Sequence, residues 1–300
     1  MRDFHRMKKK PKILVVLGPT ASGKSDLAVS LAKKLSGEVI SADSRQVYTG
    51  LNIGSGKITK REMRGIPHYL LDVKDPKKIF TVSNFKQLAE KAIKEILKKG
   101  KLPIVCGGTG FYIDALVKNI TLPEVPPNSK LRKSLEKFST EELFQKLKKL
   151  DTRRAKEIDS KNRVRLVRAI EIAEALGNIP KAKETTPFDT TYIGILWNDE
   201  DLRARINQRL QKRLKQGMIK EVTNLHNKGL SWKRLEDLGL EYRYIAEYLQ
   251  KKITREEMIA LLQNKIWQYA KRQMTWFKRN KKIVWVSGGE LSVAVKKLRV

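Results

Sequence analysis

The chain has 300 residues, 40% of them apolar, with five Trp and eight Phe, enough for a sizeable core in one large or two small domains. Lys and Arg number 64 against 32 Asp and Glu, so the formal charge is +32, and an excess that large points to a polyanionic partner, nucleic acid first. No apolar run approaches the ~20 residues that cross a bilayer, and the single cysteine, Cys106, excludes an internal disulfide and a thiolate zinc cluster.

In chain order, MRDFHRMKKKPK reads as a basic arm without a small-residue cleavage site, and the expected localisation is cytoplasmic. The apolar run ILVVL (13–17) reads as a buried strand and leads directly into GPTASGKS, Gly18 to Ser25. Two glycines five apart, followed by Lys and Ser, fit a phosphate-cradling loop. In such a loop backbone N–H groups of Gly18, Pro19, Thr20, Ala21, Ser22 and Gly23, proline excepted, point at phosphate oxygens. Lys24 adds charge, Ser25 is placed to ligate Mg²⁺, and the amphipathic SDLAVSLAKKL (25–35) supplies a helix N-terminus.

A second strand, EVISA (38–42), runs into SADSRQVYTG. Asp43 stands at its C-terminal end, where open parallel sheets place ligands. It is a candidate general base beside the phosphates, and equally a carboxylate capping the next turn. HYLLD is a poor, short strand whose Asp72 is the best candidate for the Mg²⁺-holding Asp that an ATPase or small kinase needs. NFKQLAEKAIKEILKKG (84–100) is helical, and PIVCG (103–107) is a third buried strand in which Cys106 reads as a structural thiol. Buried strands alternating with helices indicate an α/β protein with a P-loop NTPase-like parallel sheet flanked by helices.

From 119 to 191 the pattern changes. Pro-rich TLPEVPPNSK and KETTPFDTT flank EELFQKLKKL and RVRLVRAIEIAEALG, which reads as an all-helical insertion domain between core segments 1–118 and 192–300. Arg153 and Arg154 of DTRRAKEID are weak candidates for a kinase lid, and Arg165 and Arg168 share a helix face. After YIGILW (192–197) the chain is helical until a last strand, IVWV (283–286). LRARINQRLQKRLKQG sets Arg205, Arg209 and Arg213 four apart on one face. Like charges so spaced cost roughly 0.2–0.5 kcal/mol per pair, so the ridge is either a solvated basic face or an anion contact. In KIWQYAKRQMTWFKRNKK, Gln268, Arg272, Thr275 and Arg279 make one polar face, the better RNA candidate, opposite Ile266, Ala270, Met274 and Phe277.

The stretches GPTASGKSDLA, SADSRQVYTGLNIGSGK, IPHYLLDV, FTVSNF, LPIVCGGTGFYIDALV, RVRLVRAIEI, INQRLQKRLKQGMIKEV, LEYRYIAEYL and KRQMTWFKR, in that order, resemble the tRNA dimethylallyltransferase (tRNA isopentenyltransferase) family in its bacterial form. The resemblance covers nearly the whole chain. It implies that the cradled phosphates belong to dimethylallyl diphosphate, and that N6 of an adenine next to the tRNA anticodon attacks the allylic carbon while diphosphate leaves. It implies catalytic roles for Asp43, Thr20, Lys24 and Arg209, with Mg²⁺ on Ser25. As tRNA contacts it implies Asp43, Ser44, Arg45, Gln46, Thr109, Arg132, Val164, Arg165 and Arg168. Toward the C-terminus it adds Tyr242, Arg243, Lys271, Arg272, Gln273, Thr275, Trp276 and Lys278. A monomer that binds the anticodon stem-loop, and no membrane, is expected. Val164 stands where the family often has Gln, and Glu241 where it often has Gly. The rival readings are an adenylate isopentenyltransferase acting on free AMP, ADP or ATP, a small-molecule kinase, and a non-catalytic RNA-binding protein that uses nucleotide as a switch. The charge and the arginine-bearing helices argue against the first.

Overall fold

A computed structural model describes residues 9–180 and 184–290; most of the basic arm, residues 1–8, lies outside the described residues. Strand β1 (Lys12–Leu17) is followed by α1 (Lys24–Lys34), β2 (Gly37–Ser41), α2 (Lys60–Met63), β3 (His68–Tyr69), α3 (Val82–Lys98), β4 (Leu102–Gly107) and α4 (Gly110–Val117). Next come α5 (Ser129–Leu135), α6 (Thr140–Leu150), α7 (Thr152–Glu157) and α8 (Arg163–Leu176). The chain returns through β5 (Asp189–Leu196), α9 (Asp199–Lys215), α10 (Met218–Asn227), α11 (Trp232–Leu238), α12 (Leu240–Leu249), α13 (Arg255–Phe277) and β6 (Ile283–Ser287).

The six strands form one parallel sheet in the order β3-β2-β4-β1-β5-β6. From Ile13 to Leu17 every residue of β1 is buried, the mark of a strand covered on both faces. One layer packs Leu14, Val16, Ile104 and Ile193 against Leu27 and Leu31 of α1. The other packs Ile13, Val15, Ile40 and Val105 among Phe85, Ile93 and the helices that follow β5. The register Val15↔Val105 and Val15↔Tyr192 sets β1 between β4 and β5.

The strand expected from Tyr192 begins at Asp189, because Lys12↔Asp189 and Ile13↔Thr190 already pair. Residues 189–191, which composition assigned to the insertion, therefore belong to the sheet; their polarity hid them. HYLLD contributes only two residues of strand. Asp72 then turns away at φ 55 and forms an ion pair with Lys57 at 2.5 Å.

The chain divides into a unit of 1–119 with 186–300 and a unit of 120–185. The second has its own core of Leu135, Leu143, Leu147, Leu166 and Ile170. Its helices start at side-chain caps, Ser139 for α6, Asp151 for α7 and Asn162 for α8, each accepting a hydrogen bond from the first turn. Inside it the buried Glu171 carboxylate receives Nε and Nη2 of Arg132 at 2.7 and 2.8 Å, Nη1 of Arg168 at 3.2 Å and the Asn128 amide at 2.8 Å. Arg153 donates to the Ile179 carbonyl at 2.5 Å and pairs with Asp151, so it too holds this unit together.

Candidate active site

Three loops leave the C-terminal ends of β1, β2 and β4, and the strand order makes those three ends neighbours. The phosphate loop follows β1, Asp43 follows β2, and Gly107–Gly110 follow β4. This is the position at which open α/β sheets hold ligands.

The loop closes on Gly23 at φ 90, a left-handed conformation that any Cβ would strain. Gly23 is also the N-cap of α1 and offers no side chain, unlike Thr81 and Thr254, which cap α3 and α13 by capping boxes. The N–H groups of Gly23, Lys24 and Ser25 consequently have no acceptor among the described residues, and the dipole of α1 adds to them. The start of α4 behaves likewise: Thr109, its N-cap, makes no capping bond. Two uncapped helix N-termini thus face one region, an arrangement suited to an anion.

Lys24 Nζ folds back onto the Pro19 carbonyl at 3.2 Å. Burial pulls its ammonium down to about 8, with the Arg209 charge adding to the fall. The ridge on α9 turns inward. Arg205 Nε donates to the Ala21 carbonyl at 2.9 Å, Arg209 donates to the Thr20 hydroxyl, and Arg213 reaches the Gly54 carbonyl at 3.4 Å and the Glu241 carboxylate at 3.3 Å. Burial, then the neighbouring Arg213, brings the Arg209 guanidinium down to about 9. The ridge is therefore not a solvated basic face. Behind the loop, Trp197 donates to the Ser22 carbonyl at 3.0 Å and stacks under Arg205 at 4.3 Å; sequence pattern had no signal for this pin beyond the proximity of Trp197 to β5.

Asp43 Oδ1 accepts from the amides of Arg45 at 2.8 Å and Gln46 at 3.2 Å, the turn-capping geometry. Its Oδ2 makes no hydrogen bond among the described residues, so the carboxylate is oriented by one oxygen and presents the other. Asp43, Lys24, Ser25, Ser41, Gln46 and Gly107 line one cavity. Ser44 is fixed by its amide to the Thr109 hydroxyl at 3.2 Å, and Arg45 by Nε to the Leu238 carbonyl at 2.5 Å. Gln46 bridges the Ser41 hydroxyl and the Gly56 carbonyl, both at 3.1 Å. Cys106 is 7% exposed and burial pushes its thiol up to about 12, so it is a protonated packing group.

Two residues expected to touch RNA, Tyr242 and Gln273, are buried, and three others are part-exposed while bonded within the protein. Tyr242 is 1% exposed; its hydroxyl donates to Glu221 at 3.0 Å and accepts the Ser55 amide at 3.1 Å, because α12 packs that side of the helix on α10 and the 52–55 turn. Gln273 is 6% exposed and faces the two catalytic loops. Trp276 is half-buried and donates to Asp114 of α4 at 3.0 Å. Arg132 and Arg168 pair with Glu171 while keeping their side chains 42% and 34% exposed. Exposed as expected are Val164, at 78%, together with Arg165, Arg243, Lys271, Arg272, Thr275, Lys278 and Arg279. Tyr269 was missed: its hydroxyl bonds Thr109 and lies in the field of Asp43, and burial raises its phenol. Its spacing of four before Gln273 was the available signal.

Among the described residues no three His, Cys, Asp or Glu side chains gather to hold a metal on their own. Ser25 with Asp43 in one cavity fits an ion held mainly by ligand phosphate oxygens, as Mg²⁺ prefers. Asp72, committed to Lys57, does not line that cavity.

A phosphate loop after β1, a carboxylate after β2 and an arginine ridge over both define a P-loop α/β protein built to hold a polyphosphate group beside a carboxylate. The chain matches the IPP transferase family over residues 46–280, and it belongs to that family. It is 44% identical over 283 residues to tRNA dimethylallyltransferase 1 of Geotalea uraniireducens, covering 92% of each chain. The crystal structure of the tRNA isopentenylpyrophosphate transferase of Bacillus halodurans is similar with a TM-score of 0.73 at 34% identity, covering 96% of this chain and 95% of that one. A eukaryotic dimethylallyltransferase acting on tRNA matches with a TM-score of 0.79 at 26% identity, over 94% of this chain and 75% of that one.

Proposed function

We propose that the protein is a tRNA dimethylallyltransferase that moves the dimethylallyl group of dimethylallyl diphosphate to N6 of the adenosine next to the anticodon, position 37. The observation that carries the reading is Asp43 beside the loop: one carboxylate oxygen pinned by two amides, the other open in the cavity that Lys24 and Ser25 share. An ATPase or small kinase needs a strand-end Asp to hold Mg²⁺, and the best candidate for it, Asp72, pairs with Lys57 and lies outside that cavity. N6 attacks the allylic carbon; the N–C bond forms as the C–O bond breaks, the pair leaves with diphosphate, and Asp43 Oδ2 takes the N6 proton. Charge grows on the departing diphosphate, where Arg209 and the amides of Gly23–Ser25 are at hand, and Lys24 joins them on leaving the Pro19 carbonyl. Mg²⁺, held through Ser25, supplies further neutralisation of that charge when bound. Thr20 orients Arg209 through its hydroxyl.

Support for tRNA as acceptor is the charge of +32 and the exposed basic residues at the C-terminal end of α13, Lys271 and Arg272, and just beyond it, Lys278 and Arg279. Extruding the adenine takes part of the binding energy. On the insertion, Val164 and Arg165 open the first turn of α8 to solvent. The test is transfer of radiolabel from dimethylallyl diphosphate to unmodified tRNA or to AMP. Label in tRNA alone supports the reading; label in AMP alone moves the protein to free nucleotides.

A further inference from the structure

Helix α13 presents two faces to different tasks. Gln268, Arg272, Thr275 and Arg279 lie exposed. Tyr269, Gln273 and Trp276, four and three apart, turn toward Thr109, the phosphate loop and α4. Of these, Gln273 alone ties two loops. Its Oε1 accepts the Thr20 amide at 2.8 Å and its Nε2 donates to the Gly108 carbonyl at 2.8 Å. The fit is close, since a Cβ on Gly108 would stand 2.3 Å from Nε2. Among side chains of this length only glutamine carries both an acceptor and a donor at its tip at neutral pH; ionised glutamate lacks the donor, and methionine lacks the donor and accepts only weakly.

Both ends of the bridge lead to reacting groups. Thr20 receives Arg209 on its hydroxyl, so its backbone position sets where that guanidinium points. Gly108 precedes Thr109, whose hydroxyl accepts the Ser44 amide beside Asp43. The Thr20 amide is occupied by Gln273 and is not among the donors left for diphosphate.

We propose that Gln273 is a positioning residue for the transfer reaction: its amide locks the loop that holds the leaving diphosphate to the turn that carries the acceptor-side groups, and so sets the distance between the two reacting centres. This rests on the proposed function. A displacement of about 1 Å between reacting centres is enough to lower a rate ~100-fold. Because the bridge makes no contact outward, its loss should appear in kcat and in diphosphate affinity, and leave tRNA affinity as it is.

The decisive variant is Gln273→Glu, which keeps shape and the Thr20 bond but sets a carboxylate against the Gly108 carbonyl. Burial and the facing carbonyl raise the pKa of such a carboxyl while Lys24 and Arg209 lower it, and once protonated it regains a donor for Gly108. The charged groups around it are Lys24 of α1, whose Cε approaches Gly108, Arg209 of α9, Asp43 after β2 and Asp114 of α4. A carboxylate at 273 also shifts the titration of Lys24, so the uncharged Gln273→Met variant serves as a second reference beside wild type. Turnover, tRNA affinity by filter binding, and affinity for inorganic pyrophosphate are measured from pH 8.5 to pH 6. Expected is a deficit on the order of 100-fold in kcat at high pH that narrows as pH falls, with unchanged tRNA affinity. Gln273→Met should show the same deficit at every pH. A Gln273→Glu deficit that does not vary with pH, wild-type turnover in either variant, or tRNA affinity falling in step with turnover overturns the proposal. Should Gln273→Met not fold, the Gln273→Glu ratio decides by itself. Should wild type move no prenyl group to tRNA, the proposed reaction is refuted, and the pyrophosphate ratio still decides whether Gln273 organises the loop.

Discussion

Replacing Arg209 by Met should raise the stability of the free protein while removing its activity. Arg209 is half-buried beside Arg213, and its side-chain hydrogen bond goes to a neutral partner, the Thr20 hydroxyl. Its guanidinium falls from its ordinary value to about 9, because burial disfavours the charged form and Arg213 repels it. Taken at face value the fall is an unfavourable charge burial of up to ~5 kcal/mol. Screening by solvent and the lost Thr20 hydrogen bond reduce the net gain from Arg209→Met to about 1–2 kcal/mol. The sign follows from linkage: the folded-state value is depressed, so the unfolded chain holds the proton more tightly. The penalty is complete below pH 9 and is relieved only as pH rises from there toward the ordinary arginine value. At pH 7.5 the variant should therefore melt ~2–8 °C higher than wild type. Pyrophosphate at 100 times its dissociation constant should add ~2.7 kcal/mol to wild type and much less to the variant. Transfer to tRNA should fall ~100- to 1000-fold in kcat, the usual loss of one donor aimed at developing charge. Differential scanning calorimetry with and without pyrophosphate, beside a label-transfer assay, reads all three. A variant that melts below wild type without ligand, or that keeps wild-type turnover, refutes the picture of a site strained by its own charge and relieved by diphosphate.

Asp43→Asn retains an acceptor for the amides of Arg45 and Gln46 but takes no proton, so kcat should fall ~100- to 10,000-fold with unchanged melting; Asp43→Ala should in addition lose about 1 kcal/mol of stability by the missing cap, measured by chemical denaturation. Arg272→Ala with Arg279→Ala removes two exposed charges from α13 and the residues just after it, and the slope of log Kd for tRNA against log salt should flatten by roughly one per arginine; an unchanged slope places the RNA elsewhere. Tyr242→Phe strips the hydroxyl from Glu221 and the Ser55 amide, so stability should drop by about 1–3 kcal/mol while tRNA affinity measured on the folded protein holds; a selective loss of tRNA binding would return Tyr242 to the surface.

Legibility in the sequence followed the range of the interactions concerned. ILVVL, EVISA and PIVCG could be read as strands because a strand buried on both faces is a continuous apolar run, a pattern the chain carries locally. GPTASGKS could be read because its chemistry is its own backbone, and Gly23 takes φ 90 without the cost a Cβ would bring. The ridge of Arg205, Arg209 and Arg213 was visible as a spacing, but a spacing names a face and not what lies across from it. Asp43 had two readings, a cap and a base, and the geometry gives one oxygen to the first and leaves the other for the second.

What the sequence by itself determined is therefore the α/β class, the phosphate loop with its uncapped helix, the polar and apolar faces of α13, and, through the order of its motifs, the family. Only the tertiary structure decided which polar side chains turn inward. Gln273, Tyr242 and Glu171 look like surface residues along the chain, because burying each is unfavourable until partners are supplied. Those partners are Thr20 and Gly108, Glu221 and Ser55, and Arg132 and Arg168. Apart from Arg168, they come from positions distant in sequence. It is the strand order β2-β4-β1 that brings residues 20, 43 and 108 together, and that order depends on how whole layers pack rather than on any local stretch.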